Sequence, residues 1–135
     1  MRWWWVGLGV GWGCGGPRIA VDEARVCVGE VDPGGPVVLA DGDVLGFTAT
    51  ATGGCHTADL AVTCEVVLEA PGVLAVTTTE TWIETEPLAL SCESVLVVAV
   101  ATCVSPPLPA GSYTVHAGAA PVPFEVPGTL DGCLP

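Results

Sequence analysis

In two runs, 45–51 and 60–68, the chain returns to an apolar side chain at every second position, and that beat restricts what it can fold into. Leu45, Phe47, Ala49 and Ala51 fall on one side, while Thr48, Thr50 and Thr52 fall on the other. After the Gly53-Gly54-Cys55 break the beat resumes with Leu60, Val62, Cys64, Val66 and Leu68, which leaves Thr63 and Glu65 for water. Side chains alternate sides along an extended strand but recur every 3.6 residues around a helix, so this pattern specifies half-buried strands. No stretch keeps a helical period over three turns, and no internal repeat is present. Eighteen Gly and 12 Pro cut the 135 residues into short runs, the punctuation of an all-β domain.

Other runs fit the same scheme. Residues 37–40 precede an Asp41-Gly42-Asp43 turn, and Pro71-Gly72 turns the chain into a Thr-rich run at 73–85. There the adjacent Trp82 and Ile83 spoil the alternation, which predicts an edge strand with a bulge. Residues 94–102 are almost continuously apolar, as in a central strand covered on both faces. Pro106, Pro107 and Pro109 break the chain, and residues 112–117 and 122–126 then form a hairpin. About seven strands at such spacing predict one domain, a two-sheet sandwich.

The N-terminus reads differently. Arg2 precedes eleven uncharged residues, 3–13, and Cys14 follows them. That length suits the core of an export signal and falls short of the ~20 residues of a spanning helix. With Gly13 before Cys14, residues 2–16 resemble a bacterial lipoprotein leader. The resemblance implies a signal peptide at 1–13 and a lipid on Cys14 that joins the protein to a membrane. It places the chain on the outer surface or periplasmic side of a bacterial membrane, or else secreted. Residues 14–35 then form a tether, opened by Gly15, Gly16 and Pro17, with an edge strand at 25–31 that carries Cys27. The sandwich occupies 36–135.

The cysteine count points the same way. Setting Cys14 aside leaves Cys27, Cys55, Cys64, Cys92, Cys103 and Cys133, an even set suited to three disulfides in an oxidising compartment. Zinc sites use close pairs such as Cys-x2-Cys, whereas the nearest spacings here are nine and eleven residues, so disulfides are the prediction. Six cysteines allow 15 pairings, and their spacing selects none of them.

Residues 108–115, with Pro109, Ala110, Gly111 and Tyr113, resemble the approach to the penultimate strand of immunoglobulin-like domains. In that family a Tyr hydroxyl hydrogen-bonds back to the preceding corner, and Tyr113 is the only Tyr in the chain. The resemblance implies an immunoglobulin-like sandwich in which Tyr113 is structural. Val115 stands where an antibody domain has its second Cys, so that family's inter-sheet disulfide is absent. On this template Cys55 pairs with Cys92, Cys27 and Cys133 tie the ends together, and Cys64 and Cys103 are left for each other.

Charge narrows the function. Fifteen acids face three arginines, Arg2, Arg18 and Arg25, for a net charge of −12, and such a surface repels phosphate backbones. Nucleic acid is therefore excluded as a partner. The acids are scattered, which reads as solubility or adaptation to salt. Among them, Glu80, Glu84 and Glu86 read as a solvated strand edge that discourages aggregation. The Asp41-Gly42-Asp43 turn lacks the further oxygens of a calcium loop. His56 and His116 read as separate exposed residues rather than a metal pair completed by Asp59. Cys55 and His56 are adjacent and point apart, which does not suit a catalytic pair, and no Gly-x-Ser-x-Gly motif occurs.

No catalytic residue, metal or cofactor is expected. The sequence reads as a non-enzymatic, lipid-anchored surface module of a cell envelope. It would meet a protein partner through loops 53–59 and 104–111 at one end of the sandwich. The alternative is a secreted inhibitor or accessory protein that presents the proline-stiffened segment 105–109, pinned beside Cys103, to an enzyme.

Overall fold

A computed structural model describes residues 2–5, 16–85 and 96–135. These residues form eleven strands and no helix: β1 (Arg2–Trp5), β2 (Gly16–Val21), β3 (Arg25–Val28), β4 (Val37–Leu39), β5 (Gly46–Gly53) and β6 (Thr57–Ala70) come first. β7 (Val73–Glu84), β8 (Val97–Val104), β9 (Gly111–His116), β10 (Val122–Val126) and β11 (Gly128–Leu130) follow.

Two sheets carry the architecture. β3, β5 and β8 form an antiparallel sheet with β5 at its centre. The other is built around β7, which pairs with β6 along one edge. Its second edge is shared, because β9 runs parallel to residues 73–75 while β2 runs antiparallel to residues 79–84. β10 extends this sheet beyond β9, β1 extends it beyond β2, and the short pair β4–β11 stands apart.

The apolar beat builds the core between them. Leu45, Phe47, Ala49 and Ala51 are all buried, and they pack with Val26 and Val28 of β3. From the other side come Val62 of β6, Leu74 and Val76 of β7, Val115 of β9 and Phe124 of β10. This is the expected all-β sandwich. It has more strands than the seven foreseen because β4 and β11 are three residues each, too short to show a period, and because β1 and β2 precede the region in which strands were expected.

Three expectations are corrected. Residues 16–21 are not a free tether but β2, with Ala20 fully buried; an alternation as short as Arg18, Ile19, Ala20 carries little signal beside Gly and Pro. The edge strand expected at 25–31 does exist, as β3, and backbone bonds from Val28 N to Gly132 O and from Leu134 N to Val26 O line its outer side. β7 is a central strand rather than a bulged edge, and the register shifts fall on its partner β6, at 58–61 and 68–70. The second shift lies at the hairpin end, where Leu68, expected to face inward, is exposed. β8 is the third correction: it lies at the end of its sheet's strand order, not at its centre. Its smaller side chains, Ala99 and Ala101, pack against the core, while Val98, Val100 and Val104 face out.

The foreseen turn is present at Pro71-Gly72 between β6 and β7. Gly72 sits at φ +76°, and a Cβ there would lie 3.1 Å from the carbonyl oxygen of Ser112, so only glycine fits without strain.

Tyr113 forms the expected corner. Its hydroxyl donates to the Pro109 carbonyl at 2.5 Å, and its ring stacks on Phe124 at 5.4 Å. Removing only that hydroxyl, as in Tyr113→Phe, is expected to cost about 1 kcal/mol, read as a lower denaturant midpoint with an unchanged slope. An unchanged midpoint would remove the corner from the forces that hold the fold.

Two disulfides are described. Cys27–Cys133 joins residues 106 apart in sequence and Cys64–Cys103 joins residues 39 apart, both as the immunoglobulin template implies. Cys55 is also disulfide-bonded, and its template partner Cys92 lies outside the described residues, as do Cys14 and Glu86.

Candidate ligand site at one end of the sandwich

β7 runs further than the core it lines. Counting in twos from Leu74 puts Val76, Thr78, Glu80, Trp82 and Glu84 on the same inward face. Leu74 and Val76 meet apolar neighbours, but Thr78 is buried with its hydroxyl oxygen unpaired, and Glu80 is only 8% exposed. The face thus turns polar before it reaches water. The Glu80/Glu84 edge expected to be solvated is instead turned inward, and the early phase of Leu74 and Val76 is the signal that would have shown it.

A cavity of about 270 Å3 opens at this end, walled by Thr52, His56, Leu60, Glu80, Trp82 and Glu84. Thr57 lines it as well. A second cavity, of about 450 Å3, shares Glu80 and Thr52 and is lined also by Glu23, Arg25 and Thr50. The two carboxylates of β7 are held differently. Glu84 receives the Arg18 Nε–H at 2.7 Å, from a guanidinium that β2 carries almost wholly out of water. The Glu80 carboxyl makes neither a hydrogen bond nor an ion pair among the described residues.

Burial pushes the Glu80 carboxyl above its ordinary value, and the nearby negative charge of Glu23 adds to the shift. The folded chain therefore keeps this proton to higher pH than the unfolded chain does. Between the two values the folded state binds more protons, so stability falls as pH rises through that window. Glu80→Gln, which cannot ionise, is accordingly expected to melt at a higher temperature than the parent at about pH 8. The difference should close as pH falls below the ordinary carboxylate value of 4.5. A variant that melts lower at high pH would show that the charged form is the stabilising one.

The other candidate residues are dispersed. His56 walls the cavity, but His116 lies at the opposite end of β7, where its Nε2 meets Glu69 Oε2 at 2.8 Å. Asp59 is exposed and is not part of the cavity wall. Asp41 and Asp43 work as turn clamps: Asp41 accepts from Ala110 N and Asp43 from Ala40 N, both at 2.8 Å. No group of three or more His, Cys, Asp or Glu among the described residues is placed to hold a metal.

The two loops expected at one end are separated by the length of β5. Gly53 leads into loop 53–59, whereas Ser105 bonds to Leu45 just before β5 begins, so loop 104–111 is at the far end. Sequence reasoning paired them because it could not place β8 beside β5 in antiparallel register.

Fold and bonded cysteines together define a disulfide-stapled β-sandwich domain. No family model, no curated protein and no solved structure matches the chain.

Proposed function

We propose that this chain is a non-enzymatic binding module of a bacterial cell envelope, exported behind residues 1–13, whose removal would take β1 from the edge of β2, and held to the membrane by a lipid on Cys14. The observation that carries this reading is the state of the thiols. Every one of the five cysteines among the described residues is in a disulfide, and such bonds persist in oxidising compartments. Four of the five pair with each other, so the bridge at Cys55 takes one of Cys14 and Cys92 and leaves one cysteine over. Lipidation of Cys14 accounts for that odd residue. The acidic surface, at −12, keeps such a domain soluble and away from nucleic acid.

Intact mass of the protein recovered from cells tests the reading in one measurement. The expected species begins at Cys14, carries a lipid mass and contains three disulfides. Recovery of the whole chain with reduced thiols would end the proposal.

A secreted inhibitor is the second reading, and the far loop favours it. The Ser105 hydroxyl accepts from Leu45 N and donates to the Pro106 carbonyl, while Leu108 N donates to Asp43 O and its side chain is buried. These clamps hold Pro106 and Pro107 outward in a fixed shape, which lowers the entropy lost on docking. Release into the medium without lipid, and binding of a partner enzyme that is lost in a Pro106→Gly/Pro107→Gly variant, distinguish this reading from the anchored one.

A further inference from the structure

An ionisable carboxylate held out of water without a donor or a counter-charge is costly, and proteins keep such groups where something else supplies the partner. Glu80 comes close to that position: the residue is 8% exposed, its carboxyl makes no hydrogen bond or ion pair among the described residues, and it walls both cavities, the larger of which Arg25 also lines. We propose that the cavity beside Glu80 binds an organic cation through its ammonium or guanidinium group, with the Glu80 carboxylate as counter-ion. This deepens the binding-module reading and rests on it.

The surroundings select this ligand chemistry. Glu84 is already neutralised by Arg18, and Glu23 and Arg25 of the larger cavity bring one charge of each sign, so Glu80 leaves one net negative charge, the match for a single positive group. The Thr52 and Thr57 hydroxyls and the His56 ring border the same space and can accept the remaining N–H bonds, while Leu60 offers apolar wall to an alkyl stem. A bare divalent ion fits less well. It needs several oxygen ligands at once, whereas the described residues form no such cluster, and about 270 Å3 is more room than one ion fills. Burial raises the Glu80 carboxyl above its ordinary value, and a cation beside it would oppose that shift. The overall charge of −12 draws cations towards the domain and repels anions.

The positive group can come from a soluble amine or from the headgroup of a membrane lipid, and two arms of one experiment separate these sources. In the first, the isotopically labelled full-length chain is titrated with n-butylammonium and n-propylguanidinium chloride. Saturable amide shifts are expected at Thr52, His56, Thr57 and Glu80. Glu80→Gln should weaken binding about tenfold or more, while Glu69→Gln, beside His116 at the opposite end, should leave it unchanged. In the second arm the chain is mixed with vesicles of phosphatidylglycerol with or without phosphatidylethanolamine. Retention that needs both the ethanolamine lipid and Glu80 assigns the headgroup as the source, and its absence assigns the soluble amine.

Equal affinity in Glu80→Gln, shifts spread over the whole acidic surface, or calcium displacing the amine at these same amides would each overturn the proposal. Glu80→Gln removes a buried charge, so a misfolded variant is not the expected obstacle. A flat titration of exported protein would leave the envelope reading standing. A chain found uncleaved and reduced would remove that reading without touching the titration.

Discussion

Replacing Cys27 and Cys133 together with alanine is expected to lower the free energy of unfolding by about 4–5 kcal/mol. The bond joins residues 106 apart in sequence, so it constrains nearly the whole unfolded chain from β3 to the C-terminal residues. Loop-closure entropy for ~100 residues is worth ~4.7 kcal/mol in the chain-entropy account, set against ~5–15 kcal/mol for an entire domain. The Cys64–Cys103 bond closes a span of 39 and is worth about 4 kcal/mol on the same scale. Local geometry adds to the first loss. Cys27 is buried, and backbone bonds at Val28 and Leu134 flank the bridge, so unzipping it also frees the chain end from the side of β3. Guanidinium unfolding of the two double variants, each fully oxidised at its remaining cysteines, measures this. A loss under 1 kcal/mol for Cys27→Ala/Cys133→Ala would mean that strand pairing alone holds the ends.

Phe47→Ala is expected to cost about 3–5 kcal/mol. Phe47 is fully buried on β5, the one strand of its sheet with partners on both edges, where it sits opposite Val28 on one side and Cys103 on the other. On the same face, Ala49 and Ala51 are too small to move into the space it leaves, and Leu45 is itself fully buried. In a chain with only two Phe, this ring supplies volume that the Val- and Ala-rich core cannot replace. Thermal melting with both described disulfides intact isolates the packing loss. A drop of less than 1 kcal/mol would show that the sheets close over the gap.

The same strand shows what the sequence carried well. The beat from Leu45 to Ala51 named the core face of β5 because one strand, buried on one side, shows its geometry in every second residue. Tyr113 found its corner because that contact reaches only four residues back, to Pro109, and needs no knowledge of the rest of the fold. β7 was harder. Its inward face changes chemistry midway, from Leu74 and Val76 to Glu80 and Glu84, and a reading keyed to hydrophobicity takes that change for a change of side. β8 misled in the opposite direction: valines on its outer face look the same in sequence as valines in a core. The cavity depends on long-range register, since Arg18 is set against β7 by a pairing that spans more than sixty residues. No local pattern encodes that meeting. Glu80 was therefore visible as an acid but not as a buried one.

The early onset of β2 has a mechanical consequence for an anchored chain. Gly16 is already in register with Glu84, so a lipid on Cys14 would be separated from the sheet by two residues, a standoff of about 7 Å at full extension. The Glu84 end would then hang directly over the headgroups, and the domain would have almost no freedom to swing. Proteins approaching from outside would meet the far pole first, where Pro106 and Pro107 project.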